Sequence, residues 1–151
     1  MGTKAFTLVE VVVTAIIVGI LAMTAIPNLL KSIQRSYGQD ALRNLVAIYG
    51  AQQNYFQNNN GAYLSPCTIN CINGTGSASL GLNIVSTGGT VYSCPNGTAC
   101  TATNGNANFT MNATLGNPIN IGSVPVYCGN GSPPYANNPC CQGGTAGAVC
   151  P

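Results

Sequence analysis

Lys4-Ala5-Phe6-Thr7-Leu8-Val9-Glu10 heads an apolar run that reaches about Leu30, and the reading of this junction decides the fold. Between Glu10 and Lys31 no side chain is charged. A helix rising about 1.5 Å per residue needs roughly twenty such residues to cross a hydrocarbon core of about 30 Å. The run exceeds the roughly 7–15-residue core of a secretory signal, and Leu21-Ala22-Met23-Thr24-Ala25 offers no clean small-x-small cleavage site. A retained membrane helix is expected. Glu10 is the anomaly in it. A carboxylate at the edge of such a segment is costly to bury alone and requires a cationic partner.

Over Ala5-Phe6-Thr7-Leu8-Val9-Glu10 the chain resembles the class III leader of type IV pilins and of type II secretion pseudopilins. The resemblance extends to Gly19 and Pro27, which stand where the first helix of the type IVa class carries a helix-weakening Gly and Pro. It runs from about Lys4 to Tyr63 and does not extend to the remainder. Ala5 is a departure, Gly being commoner there. The resemblance implies that residues 1–5 are a leader. A prepilin peptidase would cut between Ala5 and Phe6 and methylate the new amine. Within a filament, that amine on Phe6 would meet the Glu10 carboxylate of a neighbouring subunit. Such a buried pair sets register more than it adds stability, and breaking it leaves an uncompensated charge at about 3–5 kcal/mol. Pro27 removes a helix hydrogen bond, and Gly19 weakens the same stretch by about 1 kcal/mol relative to Ala. The segment between them is expected to stretch or melt on passage from bilayer to filament.

Residues 6–30 are thus expected to form the transmembrane and filament-core part of a long helix, and residues 31–63 its amphipathic half. Ala41, Leu42, Leu45, Ile48, Tyr49, Gln52, Tyr55 and Phe56 recur near 3.6-residue spacing on one face. Asn58-Asn59-Asn60-Gly61 ends the helix, with Gly61 as its C-terminal cap. A helix over about residues 6–58 would be ~80 Å long.

All six charged residues (Lys4, Glu10, Lys31, Arg35, Asp40 and Arg43) precede residue 44, and the chain has no histidine. Residues 64–151 therefore hold no acid–base pair and no triad, and an enzyme is not expected. They also lack the basic footprint that nucleic acid requires. No cofactor and no metal are expected.

The eight cysteines, Cys67, Cys71, Cys94, Cys100, Cys128, Cys140, Cys141 and Cys150, all lie in this uncharged part. An even number in a small Gly- and Asn-rich domain reads as a disulfide framework from an oxidising compartment. A four-cysteine metal site is the alternative, but no C-x2-C knuckle occurs. The spacing leaves the pairing open, although Cys94 and Cys100 bracket a short loop. The oxidised head also places this part outside the cytoplasm, despite Lys31, Arg35 and Arg43 on its side of the run.

Strands are expected over residues 82–86, 90–93, 108–115 and 123–127, with Gly88-Gly89 as a hairpin turn. The fold class is α+β: a long N-terminal helix carrying a three- or four-stranded antiparallel sheet. The tail from Tyr127 reads as an irregular disulfide-bound loop. Asn73, Asn96, Asn108, Asn112 and Asn130 match the N-glycosylation pattern, which arises readily by chance in so Asn- and Thr-rich a sequence. A charge-free surface suits glycan cover or close subunit packing.

The resemblance implies a homopolymeric filament: a major pilin, held in the inner membrane and then assembled by inner-membrane machinery into an extracellular fimbrium. Attachment, twitching motility or DNA uptake would be its use. One alternative is a major pseudopilin, whose family members hold calcium on acidic head residues that this head lacks. The other is a disulfide-rich binding module on a plain membrane anchor.

Overall fold

A computed structural model describes residues 7–120, 128, 137–143 and 150. The chain divides into two compact units, Met1–Ile33 and Gln34–Pro151. One helix, α1, runs Leu8–Asn58. Thr7 begins it: its hydroxyl and its carbonyl both accept from the Glu10 N–H, at 3.3 and 3.1 Å. Glu10 thus occupies the third helical position, where a carboxylate faces the positive end of the helix dipole. The other end is closed by amides. Asn58 and Asn59 donate their side-chain N–H groups to the Asn54 and Tyr55 carbonyls, both at 2.9 Å. Gly61, at φ 77°, donates its backbone N–H to the Phe56 carbonyl. The Tyr55 and Phe56 carbonyls, in the last turn of the helix, are satisfied in this way.

Within the first unit the polar side chains of the apolar run bond to their own helix. Thr14 donates to the Val11 carbonyl at 2.9 Å, Thr24 to that of Leu21 at 3.0 Å, and Asn28 to that of Thr24 at 3.2 Å. The two threonine hydroxyls thereby place their protons on the helix itself, and Asn28 places one of its two N–H groups there, which lowers their cost in an apolar medium. The helix is unbroken through Gly19 and Pro27.

Within the second unit Ala41, Leu45, Ile48 and Gln52 form the buried face of α1, while Leu42, Tyr49, Tyr55 and Phe56 are half-buried beside it. Beyond the helix, β1 (Cys67–Thr68) and the single turn α2 (Ile69–Ile72) lead to the main strands β2 (Val91–Asn96), β3 (Ala99–Asn104), β4 (Phe109–Thr114) and β5 (Cys140–Gly143). The sheet is an antiparallel meander in the order β1-β2-β3-β4-β5. Alternate residues point inward. Tyr92, Cys94, Cys100, Ala102, Phe109, Met111 and Ala113 join Ala41, Leu45, Ile48 and Ile72 in one core. The fold is α+β, consistent with that of a pilin.

Among the described residues the sheet has five strands rather than three or four, and two expectations are corrected. Residues 82–86 form no strand. Ile84 is buried, but its backbone is met by the Asn73 side chain, which donates to its carbonyl and accepts from its N–H, both at 2.7 Å. With no strand beside it, Gly88-Gly89 is a turn in a loop and not a hairpin. The hairpin turn lies instead at Gly97-Thr98, between β2 and β3. Strand β3 was absent from the expected set because its inward residues, Cys100, Ala102 and Asn104, include no large apolar side chain. The expected strand at 123–127 and most of the tail from Tyr127 lie outside the described residues.

Candidate assembly site

Leu8, Val9, Val11, Val12, Val13, Ile16, Ile17, Val18, Ile20, Leu21, Met23, Ile26, Leu29 and Leu30 are all exposed, Leu8 and Met23 to about 80%. These positions do not form a stripe; they cover every side of the helix. A helix apolar all round demands an apolar environment on every side. This one is long and apolar enough to cross a membrane. So large an exposed apolar surface marks a site of interaction with a membrane or with other chains.

Glu10 sits at the start of this surface, exposed, and among the described residues no cation pairs with it. Its position after the Thr7 cap supplies one stabilising interaction within the chain, that with the helix dipole, beyond the expected role in assembly. The signal was present as Thr7-x-x-Glu10, the capping-box spacing. A carboxylate solvated in the free subunit remains available for a partner. Ala5 and Phe6 lie outside the described residues. At Gly19 an added Cβ would meet no atom within 4 Å, so that side of the helix is open. Pro27 lies inside the helix and supplies no N–H for the ladder.

The second unit shows how a head without charge is held. The eight cysteines form four disulfides: Cys67–Cys71, Cys94–Cys100, Cys128–Cys140 and Cys141–Cys150. Side-chain amides supply much of the remaining hold. Gln52, buried on α1, donates to the Leu64 carbonyl at 2.8 Å and accepts the Leu64 N–H at 2.9 Å. Asn138 accepts the Thr114 N–H at 2.8 Å and donates to the Thr114 carbonyl at 2.9 Å. Asn104 donates to the Gly88 carbonyl and the Thr90 hydroxyl and accepts from the Ala107 N–H. Among the described residues every buried polar side-chain atom is partnered.

Of the expected glycosylation acceptors, Asn73 is committed to its clamp on Ile84. Asn96 and Asn108 are exposed, Asn112 is half-buried on β4, and Asn130 is outside the described residues. Burial raises the hydroxyl pKa of Tyr92, with Asn44 acting against the shift and Asp40 adding to it. Burial likewise raises that of Tyr49, opposed by Gln53. A cleft of about 490 Å³ lies beside the second half of α1. Ala47, Gly50, Ala51, Asn54, Tyr55 and Leu82 are among its lining residues, and Tyr55 is the one titratable group in that lining. It offers no acid–base pair for chemistry.

Comparison with known proteins gives one relative. The chain is 45% identical over 53 residues to the type IV major pilin protein PilA of Myxococcus xanthus, a match covering 35% of this chain and 24% of that protein. The chain thus spans about a quarter of the relative's length in the matched region. No family model and no solved structure matches it. The long apolar helix, the antiparallel sheet, the disulfides and this similarity together fit a type IV pilin and membrane anchoring through the N-terminal helix.

Proposed function

We propose that this chain is a non-enzymatic structural subunit, the major pilin, of an extracellular type IV pilus. The observation that carries the reading is α1 itself: apolar and exposed on every side over residues 8–30, with one carboxylate in its first turn that no cation among the described residues pairs with. A peptidase removes residues 1–5. The new Phe6 amine of one subunit then takes the Glu10 carboxylate of its neighbour as partner while the apolar segments pack into a filament core. Residues 6–30 wait in the inner membrane, and assembly machinery there extracts them. Residues 31–63 carry the head, 64–151, to the filament surface. The helix weakens between Gly19 and Pro27 as it leaves the bilayer. Attachment, motility or DNA uptake follows from the filament.

Replacing Glu10 tests the reading. Glu10→Ala and Glu10→Gln are expected to leave a membrane-anchored, disulfide-bonded subunit that forms few or no filaments, seen by electron microscopy of sheared cell-surface material. N-terminal sequencing of wild-type filaments should begin at Phe6. Wild-type filament yield from both variants would remove the proposed pairing. A start at Met1 in assembled filaments would remove the proposed processing.

A further inference from the structure

Five Asn-Gly pairs occur in the sequence: Asn60-Gly61, Asn73-Gly74, Asn96-Gly97, Asn104-Gly105 and Asn130-Gly131. An asparagine followed by glycine can convert itself to aspartate. The glycine nitrogen attacks the side-chain carbonyl carbon, ammonia leaves, and water opens the resulting succinimide. Glycine favours the attack because no Cβ crowds its approach. The fold treats the four described pairs differently, and we infer that Asn96 is a self-modifying site that introduces a negative charge into an otherwise uncharged head.

Three of the four are held out of the reaction. Asn73 has its Nδ2, the leaving nitrogen, fixed on the Ile84 carbonyl and its Oδ1 on the Ile84 N–H. Asn104 is buried, with Nδ2 shared between the Gly88 carbonyl and the Thr90 hydroxyl. For both, attack requires breaking a structural clamp. At Asn60 the nucleophile is engaged, because the Gly61 N–H donates to the Phe56 carbonyl at 3.0 Å.

Asn96 combines the opposite features. It is exposed at the β2–β3 hairpin. Its Oδ1 accepts from the Thr98 N–H at 3.3 Å, the Thr98 hydroxyl at 2.8 Å and the Ala99 N–H at 3.2 Å. Donors fixed on an oxygen that gains negative charge during attack stabilise the tetrahedral intermediate, as in an oxyanion hole. Among the described residues nothing holds Nδ2, and the Gly97 N–H has no partner. Gly97 is also uncrowded, its nearest neighbours lying 3.8 Å or more from a built Cβ. The balance is complete with water alone. The new bond joins the Gly97 nitrogen to Cγ of Asn96, and the Cγ–Nδ2 bond breaks. Nδ2 departs as ammonia with the Gly97 proton. Water then cleaves the ring to aspartate or isoaspartate.

The test follows the purified full-length protein, with disulfides intact, during incubation at mildly alkaline pH. Acidic species are counted by isoelectric focusing. The site is assigned by mass spectrometry after unfolding, reduction and cleavage at aromatic residues. Conversion is expected at Asn96 several-fold ahead of Asn60, Asn73 and Asn104, and the ranking should collapse when incubation follows reduction and unfolding. Thr98→Val, which keeps both backbone donors but loses the shortest contact, is expected to slow conversion at Asn96 several-fold while circular dichroism stays unchanged. Equal rates at the four positions in the folded protein would overturn the inference. So would an unchanged rate in a folded Thr98→Val protein.

Discussion

Gln52, Asn73 and Asn138 each offer both ends of one amide to the backbone of one distant residue, Leu64, Ile84 and Thr114 in turn, and Asn138 donates also to the Asn117 carbonyl at 3.0 Å. Each amide acts as a one-residue strand, satisfying an N–H and a carbonyl that no neighbouring strand reaches. Loss of such a clamp leaves two backbone groups unmet, at about 1–3 kcal/mol for each unsatisfied buried group. Gln52→Leu, although nearly isosteric and apolar, is therefore expected to lower the thermal midpoint of the head clearly. Gln53→Leu loses only side-chain hydrogen bonds, to the Tyr63 hydroxyl at 3.1 Å and to Tyr49, and leaves no backbone group unmet, so it should do much less. Differential scanning calorimetry of the two variants checks this. An equal effect would show that Gln52 contributes through packing alone.

At the scale of elements, the loop carrying Gly88 is held down from two sides. Asn104 donates to the Gly88 carbonyl at 3.0 Å, and the Tyr37 ring of α1 lies where a Gly88 Cβ would stand, at 2.6 Å. Gly88 also has φ +61°, a region costing other residues about 1–2 kcal/mol. Gly88→Ala should thus destabilise the head by more than that backbone cost alone. Gly105→Ala, with no atom within 4 Å of its built Cβ, should cost little. Chemical denaturation of the pair measures the difference. The long helix was legible in the sequence because two strong signals coincide: an uninterrupted apolar run, then a 3.6-residue apolar period ended by Asn58-Asn59-Asn60-Gly61. Two strands were also legible, from Tyr92 flanked by β-formers and from the alternation of Phe109, Met111 and Ala113. The rest was obscured for physical reasons. Strand β3 turns only Cys100, Ala102 and Asn104 inward, so its alternation carries no hydrophobic contrast. The segment around Ile84 has strand-like composition, but its partner is a side chain, and local pattern contains no record of that. At the candidate site the motif at Phe6 to Glu10 points to assembly, while the Thr7 cap on the same turn shows only as the weaker signal Thr7-x-x-Glu10.

For the whole molecule, the placement of charge sets the response to pH. Beyond Arg43 no Asp, Glu, His, Lys or Arg is present. Little in the head can titrate between mildly acidic and mildly alkaline conditions, so its stability should be nearly flat there. Tyr92 and Tyr49 change this at the alkaline end. Their folded pKa values lie above the ordinary 10.0, chiefly through burial. The folded state then holds a proton that the unfolded chain releases. That contribution is complete below about pH 10 and is lost as pH rises through the folded values. Thermal midpoints should be level across the neutral range and fall above about pH 10, with a smaller fall in Tyr92→Phe. A marked loss between pH 5 and 8 would contradict it.

The disulfides pair each cysteine with the next one along the chain: first with second, third with fourth, fifth with sixth, seventh with eighth. Of the 105 pairings open to eight cysteines, this one can be made in order of arrival. On the proposed reading the head crosses the membrane in chain order behind its anchoring helix, and every thiol that emerges finds its correct mate either just ahead of it or next to come. An oxidant that joins each new cysteine to the last free one makes the native set, with no bond to be broken and remade. If the proposed role holds, a filament subunit made in large numbers would mature at the pace of its export and require no reshuffling afterwards.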